Sequence, residues 1–148
     1  MTNICLVTGA NGHLGNNLVR ALLDKGEKVQ ASVRNVNYLE PFEGLDCEVV
    51  YADLLDRESL SKAMKGVDTH YQVAAVYKIL AKNPEEEILR VNLEGTKNVL
   101  EIAAEQSVNK VVYVTSTAAL DHSSVPMAET SWNSDFSNPY CQSNKVQF

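Results

Sequence analysis

Gly9, Gly12 and Gly15 stand directly behind the apolar run Ile4-Cys5-Leu6-Val7, in the segment Thr8-Gly9-Ala10-Asn11-Gly12-His13-Leu14-Gly15. A strand that turns sharply into a helix leaves the first backbone N–H groups of the helix unpaired, with the positive end of the macrodipole behind them. A nucleotide pyrophosphate fits there. Gly9 can take the tight-turn conformation, Gly12 lets the backbone approach the phosphates with no Cβ between, and Gly15 lets the helix pack tightly on the strand. The predicted cradle comprises Gly9, Asn11, Gly12, His13, Leu14 and Gly15, with His13 offering its backbone rather than its imidazole. Glycines at such spacing also occur in ordinary loops, so context decides. Here an amphipathic helix follows the string, with Leu14, Leu18 and Leu22 on one face, Leu23 beside them, and Asp24-Lys25-Gly26 as a stop.

A second chemical signal lies at the end of the next strand, about 20 residues beyond the glycines, where a dinucleotide fold meets the adenosine ribose. An acidic residue there selects NAD, whereas an arginine accommodates the extra phosphate of NADP. This chain reads Ala31-Ser32-Val33-Arg34-Asn35, with no Asp or Glu from Val29 to Tyr38. A guanidinium offers planar, charge-assisted donors to a phosphate that a carboxylate would repel, so NADP is favoured over NAD. The rival role for Arg34 is a solvated surface charge. Asp53, followed by Leu54, could set a carboxylate on the adenine amino group; its rival role is turn formation.

These residues need a scaffold, and the order of elements predicts one. Strands are expected at Lys28 to Val33, Cys47 to Tyr51, Val67 to Ala74 and Lys110 to Thr115. The last lacks alternation, as a parallel strand covered on both faces does. Asp56 can cap a helix over Arg57 to Lys65, with Leu60 and Met64 inward and Gly66 ending it. Asn83-Pro84-Glu85-Glu86-Glu87 marks a helix start, with a capping Asn, Pro at the first position and carboxylates at the positive dipole end. That helix should run to about Gln106, burying Ile88, Val91, Val99 and Ile102. Strands alternating with helices imply an α/β fold, a Rossmann-type doubly wound parallel sheet with strand order 3-2-1-4-5. The polar stretch Asp121 to Asn138, with Pro126 and Trp132, exceeds ordinary connections and reads as functional or mobile. A last helix begins at Pro139.

Composition narrows the class. At 148 residues and 45% hydrophobic content the chain can bury one core, so residues 1–148 read as one dinucleotide-binding domain. A net charge of −6, with no basic block, argues against nucleic-acid or anionic-membrane partners. No apolar run approaches the roughly 18 residues needed to span a bilayer, and the first strand starts too early for a signal peptide. Cys5, Cys47 and Cys141 are odd in number and widely spaced, which argues against a disulfide framework or metal cluster and for a cytoplasmic protein. No metal site is expected: His70 falls in a strand and reads as structural, and His122 reads as loop surface. The loop Val76-Tyr77-Lys78-Ile79 and the Trp132 segment lie where a substrate should sit, and Tyr77 or Lys78 could touch it.

Taken together, Thr8-Gly9-x-x-Gly12-x-x-Gly15, Ala52-Asp53-Leu54, Val73-Ala74-Ala75, Val91-Asn92-x-x-Gly95-Thr96 and Tyr113-Val114-Thr115-Ser116 carry a resemblance. The chain resembles the N-terminal portion of an extended short-chain dehydrogenase/reductase, of the NAD(P)-dependent epimerase/dehydratase superfamily, nearest its dihydroflavonol-reductase-like members. The resemblance implies a nicotinamide cofactor across the C-terminal strand ends, touching Ala74 and Ala75, and hydride exchange with a small carbonyl or alcohol. It also implies a catalytic Ser, Tyr and Lys: Ser116, with Thr115 and Thr117 as stand-ins, then Tyr140, with Lys145 as the candidate lysine. Carbonyl reduction needs a proton at the nascent alkoxide. A phenol with a pKa of about 10 must be shifted by about three units to serve near pH 7. An ammonium about 4 Å away supplies roughly that much at an effective dielectric of about 20.

Two departures from the family pattern stand out. The family spacing is Tyr-x-x-x-Lys, but this chain reads Tyr140-Cys141-Gln142-Ser143-Asn144-Lys145. Aligned without a gap, Asn144 takes the lysine position, and Lys145 lies about 140° further round a regular helix than Tyr140. Aligned on Lys145 instead, the tyrosine position falls on Cys141 and Tyr140 loses its role. A local bulge would be needed to bring Lys145 and Tyr140 together. Family members also continue for a similar length again, so the order 3-2-1-4-5 leaves the fifth strand with a bare edge. Either the product is truncated, or the missing contacts come from a partner, as in a homodimer. Three functional readings follow: an NADP-dependent oxidoreductase, a non-catalytic NADP-binding module or sensor, and an inactive fragment.

Overall fold

The computed structural model describes residues 3–77, 81–121, 131–133 and 138–146, with side chains as far as position 143. Of the residues singled out above, Lys78, Ile79, His122 and Pro126 lie outside the described residues. The chain divides into two compact units, Met1–Ala74 with Lys97–Val114, and Ala75–Thr96 with Thr115–Phe148.

The first unit is built on five parallel strands: β1 (Ile4–Thr8), β2 (Lys28–Val33), β3 (Glu48–Tyr51), β4 (Thr69–Gln72) and β5 (Lys110–Tyr113). Their order is β3-β2-β1-β4-β5, as expected. β1 is central. It pairs with β2 from Ile4↔Lys28 to Thr8↔Ser32 and with β4 from Cys5↔Thr69 to Val7↔Tyr71. Successive side chains of a strand point to opposite faces, so β1 feeds two cores at once. Cys5 and Val7 join Val19 and Leu22 of helix α1 (His13–Asp24), while Leu6 joins Leu60 and Met64 of α2 (Arg57–Met64) and Val99 and Ile102 of α3 (Val91–Glu105).

Asp56 caps α2 as predicted, its carboxylate accepting from Glu58 N–H and Ser59 N–H. Helix α1 differs in phase. Its buried positions are Gly15, Val19 and Leu22, while Leu14 is half exposed and Leu18 and Leu23 are partly covered. Two apolar faces a residue apart both satisfy the helical period, and contact with β1 through a residue lacking Cβ selects the Gly15 face. The fourth and fifth strands are shorter than predicted, and β5 is partly covered rather than buried on both sides. Among the described residues β5 pairs only with β4 and forms the sheet edge.

The second unit contains the start of α3 and helix α4 (Pro139–Val146). The Asn83 side chain accepts from Glu86 N–H at 3.4 Å, and the Glu87 carboxylate accepts from Asn83 N–H at 3.0 Å. The first stretch, Glu85–Arg90, winds as a π-helix before α3 proper begins at Val91. Six residues are too few for hydrophobic periodicity to separate the two windings. Ile88 is buried there, whereas Val91 is only partly so. Trp132 forms an antiparallel bridge with Leu120. Among the described residues no helix is long and apolar enough to cross a membrane, and the three cysteines are free.

Candidate functional site

The strand order reverses between β1 and β4, and ligands of doubly wound sheets bind outside the carboxyl ends of the strands at such a reversal. In this chain Gly9 follows β1 there, and Val73 and Ala74 follow β4. Gly9 adopts φ +65°, a left-handed conformation that suits glycine, and a Cβ on it would meet Ala74 Cα at 3.0 Å. Gly12 N–H closes the turn on Gly9 C=O at 3.0 Å, and Asn16 N–H then bonds Gly12 C=O at 2.9 Å. No side chain caps α1 and its first turn holds no acidic residue. The N–H groups of His13, Leu14 and Gly15 are those that helix geometry leaves without intrahelical acceptors. Asn11, Gly12, His13 and Leu14 are exposed. The half-exposed Leu14, misplaced by the periodicity, thus belongs to the open side of the turn.

Thr8 ties the two strand ends together. Its hydroxyl oxygen accepts from Val73 N–H at 3.1 Å and Ala74 N–H at 3.3 Å, and its proton goes to Gln72 Oε1 at 3.0 Å. Gln72 in turn donates to Ala74 C=O at 2.8 Å, so both backbone groups of Ala74 are held. His70 Nε2 shares the Gln72 Oε1 acceptor at 3.2 Å. An amide oxygen only accepts, which puts the imidazole proton on Nε2 and leaves Nδ1 bare, without a hydrogen-bond partner. Burial pushes the His70 pKa down to about 4, against the weaker opposing effect of Gln72. His70 is a fully buried structural residue, as read from the sequence.

Arg34 is the first residue beyond β2 and is exposed. Asp53 Oδ1 closes a local turn by accepting from Leu55 N–H at 2.9 Å, the turn-forming role weighed against adenine contact. Leu54 is buried in the core beside Leu60 and Val99, its carbonyl accepting from the Asn98 amide at 2.9 Å. Among the described residues no group of His, Cys, Asp and Glu side chains could hold a metal ion.

The second unit carries the other predicted residues. Ser116 is partly buried, and its hydroxyl accepts from Ala118 N–H at 3.1 Å, capping a 3-10 turn at Thr117–Ala119. Helix α4 packs on that turn, which brings the segments of Ser116 and Tyr140 together. Tyr140 N–H bonds the capping Asn138 carboxamide at 2.8 Å, and its ring meets the Tyr77 ring edge to face. Ala75, in the same unit, is exposed. The backbone of α4 is regular from Pro139 to Val146, so the bulge that would bring position 145 over Tyr140 does not occur. Position 144 stands one turn along from Tyr140.

Two residues without an assigned role prove central to this unit. Asn92 is buried, accepting from Val76 N–H at 2.8 Å and donating to Val76 C=O and to Ser143 Oγ, each at 3.1 Å. The signal was present, since an amide within an apolar helix face must find partners. Its partners could not be named from local sequence.

Residues 6–146 match the model of the 3-beta hydroxysteroid dehydrogenase/isomerase family. The chain is 43% identical over 115 residues, 78% of its length, to sterol demethylase protein B of Methylococcus capsulatus, of which it covers 35%. It is 36% identical over 120 residues, 81% of its length, to a dihydroflavonol 4-reductase-like protein of Synechocystis sp., of which it covers 34%. The crystal structure of gox2253 superposes with a TM-score of 0.86 at 33% identity, over 99% of this chain and 45% of that one. This chain thus spans about a third of those curated relatives and just under half of that structure. Two further structures of the same fold, each 24% identical, hold dinucleotides. NADPH is bound in yeast methylglyoxal/isovaleraldehyde reductase Gre2, at a TM-score of 0.83 over 97% of this chain and 50% of that one. NAD is bound in an Agrobacterium tumefaciens short-chain dehydrogenase/reductase superfamily protein, at 0.82 over 98% and 43%. With the strand order and glycine turn already in place, the chain belongs to the 3-beta hydroxysteroid dehydrogenase/isomerase family of extended short-chain dehydrogenase/reductases.

Proposed function

We propose that residues 1–148 form the dinucleotide-binding portion of an NADP-dependent oxidoreductase that exchanges hydride with a small carbonyl or alcohol substrate. The observation that carries this reading is the uncapped start of α1 behind the Gly9 turn, at the reversal of strand order. A Cβ at Gly12 would lie 3.2 Å from the Gly9 carbonyl oxygen, a tight approach that a glycine there avoids, which supports the reading. In this reading Asn11, Gly12, His13, Leu14 and Gly15 hold the pyrophosphate and Arg34 binds the ribose phosphate. Asp53 and Leu54 border the adenine, and Ala74 and Ala75 border the nicotinamide end.

The nicotinamide cofactor supplies or accepts the hydride when bound. Tyr140 transfers the proton at the substrate oxygen, while the Ser116 hydroxyl orients that oxygen. A phenol that gives up its proton near neutral pH needs a cation nearby, and the regular winding of α4 favours a second reading. With Asn144 one turn from Tyr140 and Lys145 further round the axis, the chain would bind NADP without turning over.

Titrating the protein with NADPH and following nicotinamide fluorescence, then measuring NADPH consumption with a panel of aldehydes and ketones, tests both readings. Saturable binding with turnover supports the oxidoreductase. Saturable binding without turnover supports the binding module, and unsaturable fluorescence sinks both. The family acts on small molecules, and a homodimer, the partner proposed here, is checked by light scattering of the same sample.

A further inference from the structure

Tyr77 and Tyr140 lie 63 residues apart in sequence within the second unit, and their rings stand edge to face. The centroids are 4.9 Å apart and the planes are inclined by 78°. Tyr77 is 67% exposed, too open for its placement to follow from burial alone. Its position is determined from behind. Asn92 holds both backbone groups of Val76, the residue immediately before Tyr77, and donates its remaining amide proton to Ser143. Ser143 is fully buried and its hydroxyl donates to Tyr140 C=O at 2.8 Å. One carboxamide therefore fastens the backbone behind each ring.

We propose that Tyr77 is a positioning residue for the Tyr140 phenol, held beside it by an Asn92 clamp on Val76 and Ser143. This inference rests on Tyr140 being the proton-transferring group. An aromatic pair in this geometry restricts ring rotation and prefers one arrangement over others. Proton transfer demands a phenol within hydrogen-bond reach of the substrate oxygen, so a ring free to swing spends less time in a productive pose. Tyr77 acts through its ring rather than its hydroxyl, which separates it from a second proton donor.

The test uses the full protein labelled with ring-13C tyrosine, with the Tyr140 resonance assigned by its loss in Tyr140→Phe. Replacing Tyr77 by Ala should move the Tyr140 resonance, as the ring current of its neighbour disappears, and Tyr77→Phe should leave it nearly in place. With NADPH and benzaldehyde, Tyr77→Ala should lower kcat by about two- to tenfold with KM little changed, and Tyr77→Phe should restore it. An unmoved Tyr140 resonance in Tyr77→Ala overturns the pairing, and unchanged kcat with a moved resonance overturns the positioning role. If the wild type turns over no carbonyl in a wider panel, the oxidoreductase reading and this role in it fail together, whereas a moved resonance still supports the pairing.

Discussion

The carbonyl group of Gly9 fills the space in which a side chain on Gly15 would have to stand. A Cβ there would lie 2.8 Å from the Gly9 carbonyl carbon and 2.9 Å from Ala10 Cα, both backbone atoms that cannot rotate aside. The start of α1 is thereby pressed onto the end of β1, with its first N–H groups beside the turn. Gly15→Ala should push the two apart, lowering stability by about 1–3 kcal/mol and weakening NADPH binding at least tenfold. Urea unfolding and fluorescence titration check the two effects. An alanine variant that binds normally would show that the close approach is not needed for the cradle.

Arg34 lies beyond the end of β2 in a stretch free of carboxylates. Arg34→Asp should reverse the preference, weakening NADPH binding by about tenfold or more while NADH binding holds or improves. Competitive titration of the two cofactors measures the ratio. Equal losses for both would show that Arg34 does not meet the ribose phosphate.

Position 144 stands one helical turn from Tyr140, the residue proposed to transfer the proton. Asn144→Lys should raise kcat for NADPH-dependent carbonyl reduction at pH 7 by tenfold or more, since a cation about 4 Å away is worth up to about 4 kcal/mol to the phenolate. The pH–rate profile should move to lower pH with it. Unchanged rates in the variant would remove Tyr140 from the chemistry.

His70 makes stability depend on pH in a definite direction. Its pKa is lowered from 6.5 to about 4 in the folded protein, so the unfolded chain binds the proton more readily between those values. Stability is therefore full above about pH 6.5 and is lost as pH falls through about 4, by roughly 3 kcal/mol in all. Urea denaturation at pH 7, 6 and 5 should show a falling midpoint, and His70→Leu should flatten the trend. A wild-type midpoint constant over that range would contradict a neutral, buried His70.

Much of the scaffold was legible because its signals are local. Lys28 to Val33 was read at the limits β2 takes, Asp56 was read as the cap it is, and alternating strands and helices implied the sheet order. The phase of α1 was not legible, since Leu14-Leu18-Leu22 and Gly15-Val19-Leu22 are both acceptable helical faces. Contact of Gly15 with Gly9 selects between them.

The sequence by itself determined the strand–turn–helix with its three glycines, the absence of an acidic residue beside Arg34, and the asparagine at position 144. Each is encoded within a few neighbouring residues by turn chemistry, charge or spacing. Only the tertiary structure decided that Thr8 receives Ala74 N–H across 66 positions and that Asn92 joins Ser143 across 51. A buried polar group must find its partner wherever packing brings one, and packing is a property of the whole fold. The regular winding of α4 was likewise decided there, and it keeps Lys145 out of register with Tyr140 along the backbone.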